Sequence, residues 1–228
     1  MDRLLVLVLL LVLLIGVYFI YDTAYVYYHA AAARVTYQRP GTAEETGPSA
    51  KSLTEDYVAW LTLDDNEIDT PVMQGEDNSK YLNTDPYGDY SLAGSIFLDS
   101  RNTSDFSDSY NLTYGHHMSN HLMFGALDRF YDERYFEQHS SGILRVGELV
   151  YPLQIFAVLA TDAGESVLFQ PQGSEPVLKL AEEASLYYRI PISDHILALT
   201  TCVDAANTSR TAVLCAMGEP YKEGELES

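Results

Sequence analysis

Lysine and arginine are scarce in this chain, 13 residues against 33 aspartates and glutamates in 228, for a formal net charge of −20. A surface that acidic repels phosphate and argues against a nucleic-acid partner. The plainer reading is a solvated surface that keeps a domain soluble, and the sharper one is attraction of a cationic partner such as an amine nucleophile. Cysteine is nearly absent as well, with only Cys202 and Cys215. Two thiols exclude a disulfide framework, although a single bridge between them is open to an exported protein. No set of histidines, cysteines and carboxylates falls at zinc-ligand spacing, because His116 and His117 are adjacent and the cysteines stand far apart. No metal and no other cofactor is expected. Internal repeats are lacking, and low complexity is confined to one linker.

Long apolar runs are lacking too, save one. Residues 4–21 are apolar throughout, interrupted only by Gly16. As a helix at 1.5 Å per residue the run spans about 27 Å, close to the hydrocarbon core of a bilayer. A cleaved signal peptide is the competing reading, but its apolar stretch is usually shorter and ends at a small-residue site. Tyr21-Asp22-Thr23 is a poor site, although the alanines at 30–33 lie further on. Tyr18, Tyr21, Tyr25, Tyr27 and Tyr28 crowd the distal end as an interfacial aromatic belt would. The organisation expected is a transmembrane anchor over 1–24, a juxtamembrane helix and linker over 25–54, a folded domain over 55–221 and a short tail over 222–228. Pro40-Gly41 and Gly47-Pro48 mark the linker. Arg3 on one side and Arg34 and Arg39 on the other leave the orientation undecided by charge.

Within the folded part, short β-branched or apolar runs dominate: 58–63, 68–73, 95–98, 111–114, 143–146, 149–159, 195–201 and 211–217. Turn residues separate most of them, which predicts an antiparallel barrel or sandwich of about eight strands. Residues 120–131 and 176–188 instead carry apolar side chains at helical spacing. Asn102, Asn111 and Asn207 each open an Asn-X-Ser/Thr triplet, a pattern short enough to arise by chance.

The chemistry gathers around Ala198-Leu199-Thr200-Thr201-Cys202. Alternation puts Ile196, Ala198, Thr200 and Cys202 on one strand face, with Cys202 at the edge where the chain turns polar. A lone cysteine is often just a small buried apolar residue, which is how Cys215 reads inside the run 212–217. Cys202 has different company. Arg210 begins the next strand, and its guanidinium can donate to a developing oxyanion at any working pH. His116 and His117 follow Tyr114-Gly115, where the glycine suggests a tight bend at a strand end. A thiolate to attack a carbonyl, an imidazole to move the amine proton and a fixed cation for the oxyanion are the parts needed for acyl transfer. In so acidic a protein the overall field disfavours a thiolate, so a local cation matters more.

These residues resemble the sortases, the cysteine transpeptidases of bacterial cell surfaces. Leu199-Thr200-Thr201-Cys202 with Arg210 matches the family's threonine-leucine-any-threonine-cysteine signature and following arginine, except that Ala198 replaces the first threonine. The family's catalytic histidine directly follows glycine, which maps to His116. Trp60-Leu61, the stretches 68–75 and 77–82, Gly94-Ser95-Ile96-Phe97-Leu98-Asp99, Met123-Phe124 and the helical 176–188 are similar to class B members over about residues 55–218. The resemblance implies a mainly β, sortase-like antiparallel barrel of about eight strands with short peripheral helices, plus one N-terminal transmembrane helix. It implies Cys202 as nucleophile, His116 as general acid and base, and Arg210 as oxyanion stabiliser. Thr200 and Thr201 become substrate-contact candidates, and Asp204 a further candidate for orienting the base. The implied partners are secreted surface proteins with a C-terminal sorting motif and an amine from a peptidoglycan peptide or another protein's lysine. The implied location is the plasma membrane, with the catalytic domain outside. A papain-like protease carries cysteine before histidine, the reverse of the order here. A membrane-anchored binding or structural β-domain with an inert cysteine is the alternative from another class.

Overall fold

The first element, α1 (Arg3–Thr36), is one continuous helix. Its Arg3–Tyr25 part is long and apolar enough to cross a membrane, and protein buries none of it. The structure is a computed structural model and describes residues 3–37, 39–40, 51–63, 68–118, 121–162, 167–171, 173–201 and 209–222. After α1 come β1 (Tyr57–Leu63), β2 (Asp69–Met73), a 3-10 turn (Lys80–Leu82), β3 (Ile96–Leu98), β4 (Tyr110–Gly115), β5 (His117–Met118) and β6 (Leu122–Met123). A 3-10 helix (Phe124–Tyr131), α2 (Glu133–Gln138), β7 (Ser141–Val146), β8 (Leu149–Asp162) and α3 (Glu175–Ala184) follow. The chain ends in β9 (Tyr187–Tyr188), β10 (Ile196–Thr201), β11 (Ser209–Met217) and β12 (Tyr221–Lys222).

Strands β11, β10, β4, β3, β2, β1, β7 and β8 pair in that order, and β8 pairs back onto β11. The eight runs expected from sequence are therefore the staves of a closed barrel, and closure leaves no long edge unpaired. The barrel is mixed, since β2–β3 and β4–β10 pair in parallel. A parallel pair needs a long crossover, and local alternation carries no record of which strands a crossover joins.

Strands β10 and β11 are buried on both faces, which is why they read as continuous apolar runs. Leu197, Leu199, Val213, Cys215 and Met217 point into the barrel core, alongside Phe124, Leu127, Phe130 and Phe136 from the 3-10 helix and α2. Ile196, Ala198, Ala212, Leu214 and Ala216 point outward into a second cluster with Tyr110, Phe156, Leu168 and the α3 residues Val177 and Ala181. Three alanines on this outer face let α3 and the 167–171 segment lie close. Fully burying a leucine such as Leu197 or Leu199 contributes about 1.5–3 kcal/mol.

The helical expectations shift at their ends. Within 120–131, Asn120 lies outside the described residues, and Leu122 and Met123 are drawn into a hairpin with β5. The Phe124 N–H bonds the His116 carbonyl, so only Phe124–Tyr131 is helical, and as 3-10. Within 176–188, α3 stops at Ala184, and Tyr187–Tyr188 adds to β8 as β9. Asn102 and Asn111 are buried, their side-chain amides donating to Tyr110 O and Asp108 O, so neither presents a glycan acceptor.

A buried carboxylate ties β3 to β4. Asp99 is fully buried. Arg101 donates to it from Nε at 2.8 Å, from Nη2 at 2.7 Å and from its backbone N–H at 2.9 Å. The Tyr114 hydroxyl and Asn78 Nδ2 each donate at 3.0 Å. Burial pushes the Asp99 carboxyl up, but these donors outweigh it and hold the group below its ordinary 3.8. A carboxyl depressed on folding adds stability that is complete above its unfolded value and disappears as pH falls through the folded one. Asp99→Asn is therefore expected to lose about 3 kcal/mol at neutral pH. Melting curves of both proteins from about pH 2 to 6 should converge at the acid end. A constant gap would mean that the hub is not held as a carboxylate.

Contacts with the barrel begin before Tyr57. The Thr54 N–H bonds Pro86 O at 3.0 Å, its hydroxyl lies 3.1 Å from Tyr81 Oη, and Lys51 pairs with Asp89. A chain beginning at Lys51 is expected to be about 1–2 kcal/mol more stable than one beginning at Glu55. Equal melting temperatures would show that this segment adds nothing to the barrel.

Candidate active site

Three neighbouring strands converge at one end of the barrel. Along the parallel β4–β10 pair the register runs from Tyr110↔Ile196 to Gly115↔Thr201. Along the antiparallel β10–β11 pair it runs from Ile196↔Ala216 to Thr200↔Ala212. His116, directly after the last residue of β4, and Arg210, the second residue of β11, thus flank the end of β10. Cys202 is the next residue in sequence after Thr201. Cys202 and Asp204 themselves lie outside the described residues.

Gly115 stays within β4 and makes no bend. A Cβ there would come within 2.8 Å of the Phe124 ring, so the missing side chain is what lets Phe124 pack under the strand end. The same ring residue then bonds back to the His116 carbonyl at 3.1 Å. The imidazole of His116 is turned so that Nε2 lies 2.7 Å from Leu82 O. A carbonyl only accepts, so Nε2 donates the proton in this bond.

His117 is tied elsewhere. Its Nε2 lies 2.6 Å from Asp128 Oδ2 on the 3-10 helix. The Thr211 hydroxyl lies 2.9 Å from Tyr131 Oη. The two adjacent histidines are thus held by different elements, one by the 3-10 turn before β3 and the other by the helix after β6.

Arg210 is half-buried, and its guanidinium carbon lies 4.3 Å from the centre of the Phe169 ring. Its Nε is buried with no hydrogen-bond partner among the described residues. Thr200 and Thr201, the substrate-contact candidates, are buried and their hydroxyls are spent within the sheet. Thr200 Oγ1 donates to Thr113 O at 2.7 Å, and Thr201 Oγ1 accepts the Thr211 N–H at 3.0 Å. They fasten β4 and β11 to the strand that leads into Cys202. Cys215 is a free thiol, fully buried in mid-β11, and burial pushes it up to about 12. It is therefore core, as its apolar run implied, and is not half of a bridge. Among the described residues no cluster of three histidines, cysteines or carboxylates could hold a metal ion.

Sequence reasoning did not single out Asp99, Asp128 or Phe169 as supports of the site. Asp99 had a local signal, a carboxylate ending the apolar run Ile96-Phe97-Leu98 with an arginine two residues later. The other two had none, since their partners lie far away in the chain.

No family model matches the sequence. Sortase B of Listeria monocytogenes is 33% identical over 159 residues, which are 67% of this chain and 65% of that protein's length. Sortase B of Staphylococcus aureus is 27% identical over 95% of this chain and 97% of its own length. The solved structure of a Streptococcus pyogenes class B sortase involved in pilus biogenesis superposes with a TM-score of 0.66 at 35% identity, covering 73% of this chain and 94% of that one. With the same barrel, and identity sustained over nearly all of that solved structure, this chain belongs to the class B sortases.

Proposed function

We propose that this protein is a membrane-anchored cysteine transpeptidase. The Cys202 thiolate attacks the carbonyl carbon of a threonine in a C-terminal sorting motif. His116 gives its proton to the leaving amine as the C–N bond breaks, and a thioester to Cys202 is left. An amine from a peptidoglycan peptide or from another protein's lysine then attacks the thioester. His116 takes the amine's proton, the new amide forms and the thiolate is released. Arg210 donates to the oxyanion of both tetrahedral intermediates. Thr200 and Thr201 serve through the sheet, by keeping β4 and β11 beside the end of β10.

The strand register carries this reading. Gly115 is level with Thr201 and Ala212 with Thr200, so His116 directly follows one neighbour of β10 and Arg210 lies near the start of the other. Neighbouring strands lie about 4.8 Å apart, and in-register residues share a face. The end of β10, the strand that leads in sequence to Cys202, therefore has His116 following one neighbouring strand and Arg210 at the start of the other. The buried Nε of Arg210, without a hydrogen-bond partner among the described residues, adds support, because a buried donor without an acceptor is costly and a substrate oxyanion would satisfy it. The anchor is 1–24, and the catalytic domain, expected over 55–221, also takes in Lys51 and Thr54 at its start and Lys222 of β12 at its end. The domain faces outward from a single pass through the plasma membrane.

Incubating the protein with a panel of motif peptides and candidate amines tests the activity. Cys202→Ala is expected to abolish cleavage with the melting temperature unchanged. Alkylation of the folded wild type should label Cys202 alone, since a thiol pushed up to about 12 by burial has almost no thiolate at neutral pH. His116→Ala should slow turnover by about 10²-fold, and His117→Ala by far less. Arg210→Lys keeps the charge but loses the planar fork, and single-turnover acylation should fall by about 10²–10³-fold. Normal cleavage by Cys202→Ala, or equal losses at the two histidines, would overturn these assignments.

A further inference from the structure

Arg210 is half-buried, and its Nε has no hydrogen-bond partner among the described residues. What it has instead is a ring. The guanidinium lies 4.3 Å from the centre of the Phe169 ring. An aromatic face attracts a guanidinium through its quadrupole without taking up its N–H donors or cancelling its charge. A carboxylate in the same place would do both, and would compete with any oxyanion for the same donors.

The ring is itself fixed. Phe169 packs against the outer apolar cluster, and its neighbour Leu168 is fully buried there. Two hydrogen bonds hold the backbone of this short segment. The Tyr110 hydroxyl donates to Leu168 O at 2.7 Å, and Arg101 Nη2 donates to Phe169 O at 3.0 Å. Arg101 is in turn clamped by two side-chain bonds to buried Asp99. The carboxylate that holds Tyr114, two residues before His116, therefore also holds the support of Arg210.

We propose that Phe169 is a positioning residue for catalysis: its ring seats the Arg210 guanidinium, and Asp99 through Arg101 fixes the ring. This rests on the reading of Arg210 as the oxyanion donor. Phe169 touches no reacting atom. Its contribution is to aim a charge and leave its donors unspent, and the effect belongs to kcat of acylation, not to peptide affinity.

The test compares Phe169→Leu, which fills the space without a quadrupole, with Phe169→Tyr, which keeps the ring. Phe169→Leu is expected to lower single-turnover acylation by about tenfold with KM and melting temperature nearly unchanged, and Phe169→Tyr to retain most of the rate. In an Arg210→Ala background Phe169→Leu should cost nothing further, because what the ring positions is gone. Should Phe169→Leu fail to fold, Phe169→Met, an unbranched and adaptable filler, takes its place. Nuclear magnetic resonance supplies a readout independent of activity. The Arg210 side-chain N–H signal should be displaced by the ring current in wild type and in Phe169→Tyr, and should lose that displacement in Phe169→Leu. Additive losses with Arg210→Ala, a loss in KM alone, or an Arg210 signal indifferent to the ring would each overturn the proposal. If the wild type cleaves none of the peptides, the transpeptidase reading fails, and the resonance of Arg210 still decides whether the ring carries it.

Discussion

The ionised carboxylate of Asp99 is the constraint on which the described part of the site depends. A carboxylate out of water is stable only when its lone pairs are filled by donors, and here Arg101, Tyr114 and Asn78 fill them. Each donor reaches a different part of the molecule. Tyr114 lies on β4, just before the histidine. Arg101 reaches the segment under Arg210. Asn78 holds the approach to the 3-10 turn whose Leu82 carbonyl orients the His116 ring. One desolvated charge thus sets the positions of two catalytic candidates on opposite sides of β10.

The second constraint is that β10 is covered on both faces. A strand whose side chains are buried on either side cannot slip by one residue without driving an entire apolar set into the wrong cluster. The register that brings Gly115 level with Thr201, and Ala212 level with Thr200, is fixed by packing along the whole length of the strand. The threonine hydroxyls near its end add directional bonds to both neighbours. Precision at the rim is inherited from the interior.

What could be read from the residues follows from which forces are local. The eight strands were legible because burial imposes alternation or continuous apolarity on each one separately. Cys215 was legible as core because it sits within an unbroken apolar run, and its full burial agrees. The parallel pairing of β4 with β10 was not legible, because the match between strands is decided in three dimensions. Gly115 was read as a bend, whereas its small size makes room for Phe124. A glycine chosen for contact looks the same in sequence as one chosen for backbone freedom. Leu122 and Met123 carried a helical spacing and formed a hairpin, since pairing with β5 outweighed a weak local preference. The supports Asp128 and Phe169 went unread because each acts on a partner remote in sequence.

The parallel pairing has a consequence for how the protein comes into being. Thr113 of β4 bonds Ala198 of β10 across 85 positions of chain. Closing so long a loop costs entropy before any contact repays it, and strands joined this way form late. During synthesis β4 emerges first and must wait for β10, and β10 for β11. His116 and Arg210 therefore reach the two sides of β10 only when the last barrel strands arrive. The topology delays assembly of the candidate site until folding is nearly complete.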